Sequence, residues 1–420
     1  MDKIRNIKGT KDILPNDIFL WQKLESKIHN FIKNFGYQEI RTPAFEESIL
    51  FKRGVGEDTD IVNKEMYSWQ DQGGLNLTLK PELTAPVVRA YIQHELGRSN
   101  PLNKMYYIDS LFRRERPQKG RQRQFNQFGV EVFGSNFPEQ DAEVIIIAYN
   151  FLKSIGLKEL ILEINTIGSQ SIRKEYKNVL QKLLSTYKKD FSEIDRQRLD
   201  NNPLRLFDSK DPKCREIVND KAPTIYDYIS TDDKEHFESV LSILNELQIP
   251  YVHNQQLVRG LDYYTRTTFE IKSNYLGAQD AICGGGRYDG LVEQLGGTPT
   301  PAVGFAAGME RIILLLEQDE KIDCRSLDVF IILMGSQTIP IGMKIADDIR
   351  SNTNLSVITE TLQRSMRAQM REANRLKAQY CIIIGTDEVN AKHVTIKNML
   401  DGIQNNISIQ EIVNFFSQLK

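Results

Sequence analysis

The sequence predicts an α/β protein in two parts, a long first part with an antiparallel pair of strands and a shorter C-terminal part that alternates strands with helices. Residues 104–115 and 123–133 have the composition of two antiparallel strands around a charged loop. From residue 328 onward, strand and helix patterns alternate, as in small domains with a largely parallel sheet. Helical patches within residues 170–255, broken by Asn-Pro and Asp-Pro turns, predict a mostly helical insertion.

The composition is that of an ordinary globular protein and excludes several functional classes. The 420 residues are 40% apolar and carry a net charge of −2, so any polyanion site must be a local basic patch. No apolar run reaches membrane-spanning length and the N-terminus lacks an apolar signal core, so we expect no membrane association. The cysteines are far apart, which argues against a zinc site or a disulfide framework and favours a reducing, cytoplasmic location: Cys214, Cys283, Cys324 and Cys381.

The N-terminal segment predicts a helix followed by a strand. Apolar residues recur with helical period over residues 18–35, and Gly36 is a typical residue after a helix end. Residues 37–45 then alternate as a strand that contains Pro43, which has no N–H for a sheet ladder. The strand therefore belongs at a sheet edge or an interface. Ordinary core packing and a contact between subunits both remain open for this pair of elements.

A carboxylate and a hydroxyl stand at the next strand-to-helix junction. Residues 73–84 form a short strand that runs into a proline-fixed turn, and a helix is predicted over residues 85–96. Glu82 and Thr84 can point at one ligand there, or they can cap the helix, because both residue types suit a helix N-terminus. The residues alone leave both interpretations open.

The loop between the paired strands carries a local excess of positive charge. Residues two apart in a strand share a face, so Arg113 on one strand, with Gln127 and Glu131 on the other, predicts a floor bearing a cation, an amide and a carboxylate. Residues 113–123 contain one acidic residue, Glu115, and six basic residues: Arg113, Arg114, Arg116, Lys119, Arg121 and Arg123. Such a patch suits a polyanion site, with a solvated hairpin tip as the alternative.

Residues 259–271 are rich in aromatic and β-branched side chains and predict a strand with a polar entrance. Arg259 lies at that entrance beside Gly260, which lets a ligand or backbone approach closely. Three consecutive glycines at 284–286 likewise clear side chains from a surface. A plain structural strand and a turn are the alternatives.

The stretch 304–316 has a helical pattern in which Gly304, Gly308 and Arg311 share one face. Glycine costs roughly 1 kcal/mol relative to alanine inside a helix. We therefore expect a ligand or a strand close to that face, or a groove between helix and sheet.

The C-terminal part predicts four strands and three helices, the strands at 328–334, 355–359, 380–385 and 393–397 and the helices at 338–352, 365–379 and 409–420. No G-x-G-x-x-G follows the first strand, so a dinucleotide site is not expected. One basic stripe lies along the second helix, either as a solvated face or as a contact with a nucleic-acid backbone: Arg364, Arg367, Arg371 and Arg375.

Together these stretches resemble one family. Residues 35–43, 111–131 and 304–311 resemble motifs 1, 2 and 3 of the class II aminoacyl-tRNA synthetases. Residues 259–270 and 284–290 resemble the two signatures of histidyl-tRNA synthetases, to which the sequence is similar across essentially its whole length. The resemblance implies an antiparallel class II catalytic sheet flanked by helices over residues 1–325, an insertion at about 170–225, and an anticodon-binding domain over 328–420.

The resemblance also implies substrates, partners and roles for individual residues. Arg259 and Arg113 would be the catalytic cations around the reacting phosphate. Histidine would be held through its amino group, its carboxylate and its imidazole by Glu82, Thr84, Arg113, Gln127, Glu131, Arg259, Tyr263 and Tyr264. ATP would be held by Arg113, Arg116, Arg121 and Arg311. The implied partners are L-histidine, tRNA(His) and a second copy bound through motif 1, with Mg²⁺ carried by ATP rather than by a fixed protein site.

The implied function is a ligase that forms histidyl-adenylate from L-histidine and ATP and transfers the histidine to tRNA(His). The alternative is a non-catalytic paralog such as the regulatory subunit of ATP phosphoribosyltransferase, which loses site residues that this sequence retains. Class II enzymes for glycine, proline or threonine are a further alternative, against which the 259–270 signature argues. The sequence departs from the family at Leu83 and Lys80, where glycine and arginine are common, and this affects only the expected geometry of the amino-group loop.

Overall fold

The computed structural model describes residues 3–56, 59–118, 120–276, 280–319 and 327–418. Two compact units make up the chain, Met1–Lys321 and Ile322–Lys420. Lys119 of the basic loop, Cys324 and most of the connecting segment at 321–327 lie outside the described residues.

The first unit is built on a large sheet. Its strands are β1 Gln38–Glu39, β2 Phe45–Glu47, β3 Tyr67–Gln70, β4 Asn76–Leu79, β5 Asn103–Phe112, β6 Gln124–Phe133, β7 Leu160–Thr166, β8 Val252–His253, β9 Thr265–Ser273, β10 Ala281–Arg287 and β11 Ala302–Gly308. Within the described part of the chain, eight of them form one sheet in the order β1-β5-β6-β11-β10-β9-β7-β8. The pairs from β5 through β7 are antiparallel, and only the two outermost strands pair in parallel.

Helices cover this sheet and form the insertion. They are α1 Ile18–Lys33, α2 Ser48–Val55, α3 Thr84–Gln93, α4 Leu96–Ser99, α5 Pro138–Ser154, α6 Gln170–Leu184, α7 Glu193–Asn201, α8 Pro212–Lys221, α9 Thr231–Glu246, α10 Leu291–Gln294 and α11 Met309–Asp319. The central helix α5 buries Val144, Ile147 and Phe151 and contacts β11, α1 and α9. These buried apolar side chains fix the helical layer on the sheet.

The antiparallel strand pair and the first helix are confirmed. β5 and β6 pair in the register Leu111 to Phe125 and Asp109 to Gln127, which places motif 2 on the second and third strands of the sheet. The helix α1 begins at Ile18 as predicted, and Gly36 follows its end with φ of 78°. The mixed α/β fold with an antiparallel catalytic sheet is therefore the one that the sequence predicts.

Three local predictions in this unit are wrong. The strand over 37–45 breaks into β1 and β2, because Pro43 removes a donor and the side chain of Lys80 binds Thr42 O at 3.1 Å. The strand over 259–271 begins only at Thr265, because insertion side chains bind the backbone carbonyls of the preceding residues. Residues 302–308 are strand β11 rather than a helical face, and the helix α11 begins at Met309.

The predicted insertion is helical, and it shares its hydrophobic core with the rest of the unit. Helices α6, α7 and α8 follow β7 and precede α9. One cluster of buried side chains contains residues of the insertion together with two tyrosines of the signature segment: Tyr176, Leu180, Leu199, Cys214, Tyr263 and Tyr264. The insertion is thus packed directly behind the segment that precedes β9.

The second unit is a smaller sheet with helices on both faces. Its elements are β12 Val329–Leu333, α12 Ile339–Asn352, β13 Val357–Thr359, α13 Met366–Arg375, β14 Tyr380–Ile384, α14 Thr386–Ala391, β15 His393–Asn398, β16 Gln404–Ser408 and α15 Ile412–Ser417. The strand order is β13-β12-β14-β15-β16. Residues of α12 and α15 pack on one face and those of α13 on the other.

The sequence prediction for this unit is correct in type and incomplete in detail. The four predicted strands and three predicted helices are present, while α14 and β16 were not predicted. The sheet is mixed rather than largely parallel, since β14–β15 and β15–β16 are antiparallel pairs. Strand β16 is polar, Gln-Asn-Asn-Ile-Ser, and therefore lacks the apolar alternation that marks a strand.

Among the described residues, no helix is both long enough and apolar enough to span a bilayer.

Candidate active site

One deep pocket opens on the sheet of the first unit, above β6, β9, β10 and β11. Its space, counting the open mouth, is about 1140 Å³. Most of the residues predicted for histidine and ATP line it: Glu82, Thr84, Arg113, Arg121, Gln127, Arg259, Tyr263, Tyr264 and Arg311.

Arg259 lies on the segment that leads into β9, and its guanidinium lies against β9 and β10. Its Nη1 donates to the carboxylate of Glu270 on β9. A Cβ at Gly284 on β10 would overlap the guanidinium, which explains the first glycine of the cluster at 284–286. Burial works against the charge, yet the nearby Glu270 carboxylate raises the pKa of Arg259 above its ordinary value. The pocket thus holds a permanent cation.

Arg113 faces the same pocket from the end of β5. Its Nε donates to Pro81 O at 2.8 Å, and its guanidinium lies 5.2 Å from the ring centre of Phe125. Glu115 approaches at 3.8 Å. Backbone, aromatic face and carboxylate together fix the direction of this second cation, as expected for a positioned arginine.

Glu82 combines the two roles that the sequence left open. Its carboxylate accepts from the N–H of Thr84 at 2.8 Å and of Ala85 at 2.9 Å, so it caps the start of α3. It also lines the pocket. Burial raises the pKa of Glu82 to about 7, against the lowering effect of the helix N–H groups. The capping interpretation is therefore confirmed for Glu82 and wrong for Thr84, whose hydroxyl donates to Glu131 instead.

Glu131 lies beneath the pocket floor and is absent from its lining, so the predicted surface of Arg113, Gln127 and Glu131 forms only in part. Its carboxylate accepts from the hydroxyls of Thr84 at 2.7 Å, of Tyr107 at 3.1 Å, and of Tyr288. Burial, reinforced by the Glu82 charge and opposed by these hydroxyls, raises the pKa of Glu131 to about 8. The group is thus a carboxyl that can carry a proton near neutral pH.

Tyrosine rings form the inner wall. Tyr263 and Tyr264 have ring centres 4.7 Å apart, and Tyr288 lies 5.6 Å from Tyr263. All three are buried and line the pocket, and burial raises the pKa of each hydroxyl above its usual range. Neutral hydroxyls around flat rings suit a small aromatic ligand with polar edges.

Two of the three remaining arginines predicted for ATP lie at the outer end of the pocket. Arg311, in the first turn of α11, donates to Ala281 O on β10, and burial lowers its pKa from the ordinary value. Arg121 pairs with Glu115 at 2.7 Å. Arg116 is exposed in the loop and does not line the pocket. Arg311 and Arg121 are therefore brought together, whereas Arg116 is not.

The basic stripe of the second unit is less uniform than predicted. Arg364 precedes α13 and pairs with Glu360 at 2.6 Å, and Arg375 pairs with Glu372 at 2.5 Å. Arg367 and Arg371 are exposed on the helix. The predicted surface of four arginines is thus interrupted by carboxylates at both ends.

Several pocket residues were not predicted from the sequence: Tyr107, Glu115, Phe125, Glu270, Tyr288 and Glu310. Each of these residues lies in or beside one of the predicted strands or one of the stretches that resemble a family motif. The missing information was strand order, which places β10 and β11 between β6 and β9. The described residues contain no group of His, Cys, Asp and Glu side chains that could hold a metal ion.

Comparison with known proteins agrees with this geometry. A family model described as Histidyl-tRNA synthetase matches residues 9–312, and one described as Anticodon binding domain matches residues 328–419. A Histidine--tRNA ligase of Acaryochloris marina is 44% identical over 420 residues, covering 100% of this chain and 97% of the relative. A Histidine--tRNA ligase of Clostridioides difficile is 42% identical over 414 residues, covering 98% of each.

Solved structures give the same result. The apo histidyl-tRNA synthetase of S. aureus has a TM-score of 0.82 and 37% identity, covering 99% of this chain and 100% of that one. A Bacillus halodurans structure titled as an ATP phosphoribosyltransferase regulatory subunit/histidyl-tRNA synthetase has a TM-score of 0.66 at 23% identity, covering 92% and 100%. At that identity, the second likeness concerns the fold alone.

An antiparallel sheet that carries two positioned arginines over a deep pocket, joined in one chain to an anticodon-binding domain, defines a class II aminoacyl-tRNA synthetase. The matches extend over the whole chain and agree on one amino acid. The chain belongs to the histidyl-tRNA synthetase family.

Proposed function

We propose that this enzyme, a histidine–tRNA ligase by family, activates L-histidine with ATP in the pocket of the first unit and transfers the histidyl group to tRNA(His). The observation that supports this most is the position of Arg113 and Arg259 on the lining of one pocket together with Tyr263 and Tyr264. Two cations suit a reacting phosphate, and the tyrosine wall suits an imidazole ring.

Histidine would bind at the inner end of the pocket. Glu82, Thr84 and Gln127 would take the α-amino group, since carboxylate, hydroxyl and amide oxygens accept from an ammonium. Tyr263, Tyr264 and Glu131 would recognise the imidazole, with Glu131 freed from part of its hydroxyl contacts. Polar groups left unpaired by a wrong amino acid can reject it by about 10⁴–10⁵, so no editing domain is required.

Activation would be a displacement at the α-phosphorus of ATP. A carboxylate oxygen of histidine forms the new P–O bond while the bond to pyrophosphate breaks, and the products are histidyl-adenylate and pyrophosphate. Arg113 and Arg259 would stabilise the negative charge on the transferring group, and Arg311 and Arg121 would hold the rest of ATP. Arg116 would contact ATP or the tRNA end from the loop, outside the pocket lining.

Transfer would follow in the same pocket. A terminal ribose hydroxyl of tRNA(His) attacks the carbonyl carbon of the adenylate, and AMP leaves. Positioning supplies much of the rate here, because reactants held in one geometry need no bimolecular encounter. The second unit would hold the anticodon end through the exposed Arg367 and Arg371, with Arg364 and Arg375 contributing if their carboxylate partners release them.

The remaining features of this proposal concern the setting of the reaction. Mg²⁺ would arrive with ATP as part of the substrate. We propose domains at 1–325 and 328–420, with the insertion at about 170–225, and a homodimer through residues 35–43. The separated cysteines suit a reducing compartment, so we propose the cytoplasm.

Aminoacylation of tRNA(His) with labelled histidine tests this function. The proposal predicts acid-stable labelling of tRNA(His) that requires ATP and is absent with other tRNAs. A folded protein that labels no tRNA with any amino acid contradicts it and restores the regulatory-paralog alternative, which the full-length relatives named Histidine--tRNA ligase do not favour.

A further inference from the structure

Side chains of the insertion bind the segment between residues 259 and 264, which carries Arg259 and the two tyrosines. It precedes β9, so sheet hydrogen bonds do not hold its carbonyls. Arg173 of α6 reaches it from behind, and its Nη1 donates to Asp262 O at 2.9 Å and to Tyr264 O. Arg173 therefore binds the carbonyls of residues 262 and 264 from outside the sheet.

Arg173 makes these hydrogen bonds as a buried cation. The side chain is only 7% exposed, and burial lowers its pKa, against the raising effect of Asp262. A buried cation is costly unless its donors are used. Nη1 of Arg173 has two carbonyls of this segment as partners, while its buried Nε has none among the described residues. The hydrogen bonds described for the guanidinium are thus made to residues 262 and 264.

A second pair of insertion side chains holds the first half of the segment. Arg205 Nη2 donates to Gly260 O at 3.0 Å, directly beside Arg259. Asn202 Nδ2 donates to Asp262 Oδ1 at 2.8 Å. Both residues lie where α7 ends and the next turn begins, and this turn shares the hydrophobic core behind the tyrosines.

We propose that Arg205, Asn202 and Arg173 are positioning residues for the reaction, so that the helical insertion sets the geometry of the active site. Arg205 holds the carbonyl of Gly260, the residue that follows Arg259, and thereby controls the activation rate. Arg173 fixes the peptides of Tyr263 and Tyr264 and thereby controls the binding of histidine. This inference rests on the proposed function, because it assigns the supported residues to the cation and the histidine wall.

ATP–pyrophosphate exchange with histidine tests the inference in the full-length enzyme. Arg205→Met keeps the aliphatic stem and removes the donors, whereas Arg205→Lys retains a cationic donor. Arg196→Met is the matched control, because the described partners of Arg196 all lie within the insertion: Lys188 O and Lys189 O, each at 3.1 Å, and the Glu193 carboxylate at 3.9 Å. Thermal unfolding of each variant reports folding.

We expect Arg205→Met to lower kcat for exchange by about tenfold to a hundredfold, as for a misplaced catalytic group, with KM for histidine changed less than about twofold. Arg205→Lys should recover most of the rate, and Arg196→Met should match the parent enzyme. In an Arg259→Ala background, Arg205→Met should cost nothing further, since it acts through Arg259. Arg173→Lys should instead raise KM for histidine.

Clear outcomes overturn the inference. The insertion has no positioning role if kcat for exchange in the Arg205→Met variant lies within about twofold of the parent value. The same conclusion follows if Arg205→Met lowers kcat by the same factor in the Arg259→Ala background as in the parent. If Arg205→Met does not fold, Arg173→Lys decides, and an unchanged KM for histidine refutes the inference. A parent enzyme without exchange contradicts the proposed function and this inference with it, whereas an active parent with an equally active variant contradicts the inference alone.

Discussion

Arg259 is a cation in the lining of the pocket, and its guanidinium donates to the carboxylate of Glu270 on β9. The reaction builds negative charge on the α-phosphate, and a preorganised cation in a water-poor site stabilises it strongly. Arg259 and Glu270 form a largely buried ion pair, so removing either side chain leaves the other as an unpaired charge.

We therefore predict that Arg259→Ala lowers the rate of ATP–pyrophosphate exchange by about 10²–10³, the loss typical of one preorganised donor. Glu270 would remain near Lys272, which approaches it at 3.9 Å, so the fold should survive. Glu270→Gln is the control, which removes the partner and keeps the cation, and its loss should be smaller. Activity of Arg259→Ala within a few fold of the parent would show that this arginine has no catalytic role.

Glu131 makes the free energy of unfolding depend on pH. An unfolded glutamate titrates near 4.5, whereas burial raises the pKa of Glu131 in the fold to about 8. Folding therefore takes up a proton at pH values between 4.5 and 8. The stabilisation that this proton provides is complete below pH 4.5 and is lost as pH rises through 8, by up to about 1.4 kcal/mol per pH unit.

Glu131→Gln should flatten this dependence. Relative to the parent, the variant should gain unfolding free energy as pH rises from 5.5 to 8, measured by urea denaturation at several pH values. Part of the slope should remain in the variant, because Glu82 has a pKa raised to about 7. Parallel curves for parent and variant would mean that Glu131 is ionised throughout this range.

The elements show which parts of the structure the sequence could predict. The β5–β6 pair and α1 were predictable because their apolar periods are long and regular. Strand β11 was misread, since Gly-Phe-Ala-Ala-Gly has small side chains and no clear period. Residues 259–264 were misread because side chains distant in sequence, Arg173 and Arg205, bind their carbonyls.

Gly304 on β11 shows why that strand contains glycine. A Cβ there would overlap the Glu131 carboxylate and the Val130 carbonyl of β6. We predict that Gly304→Ala lowers the unfolding free energy by about 1–3 kcal/mol, the usual cost of overpacking, and impairs histidine binding. Gly308→Ala is the matched control on the same strand, because its Cβ would meet only Arg311 at 3.7 Å. Equal urea midpoints for both variants would refute this explanation.

At the scale of the whole molecule, the sequence located most of the pocket but not its arrangement. Glu82, Arg113, Arg259 and Arg311 are far apart in sequence and meet on one pocket only because β10 and β11 lie between β6 and β9. That strand order follows from packing between distant segments and leaves no local pattern. The sequence placed Glu131 on the floor of the site, and its position beneath the floor follows from its contacts with Tyr107 and Tyr288.

The second unit carries a prediction of its own. The double variant Arg367→Ala with Arg371→Ala should weaken tRNA(His) binding and lower its salt slope by about 1 per arginine, while adenylate formation is unchanged. Lys344→Ala on α12, across the sheet from α13, is the control and should bind tRNA normally. Unaltered tRNA affinity in the double variant would identify these arginines as a solvated face.

The most direct test of the central claim is ATP–pyrophosphate exchange with each amino acid in turn, without tRNA. The pocket predicts exchange with histidine and none above background with the others, because the buried tyrosine hydroxyls and carboxyls would be left unpaired by any other side chain. Exchange with a different amino acid, or none at all from folded protein, would contradict the assignment of this pocket to histidine activation.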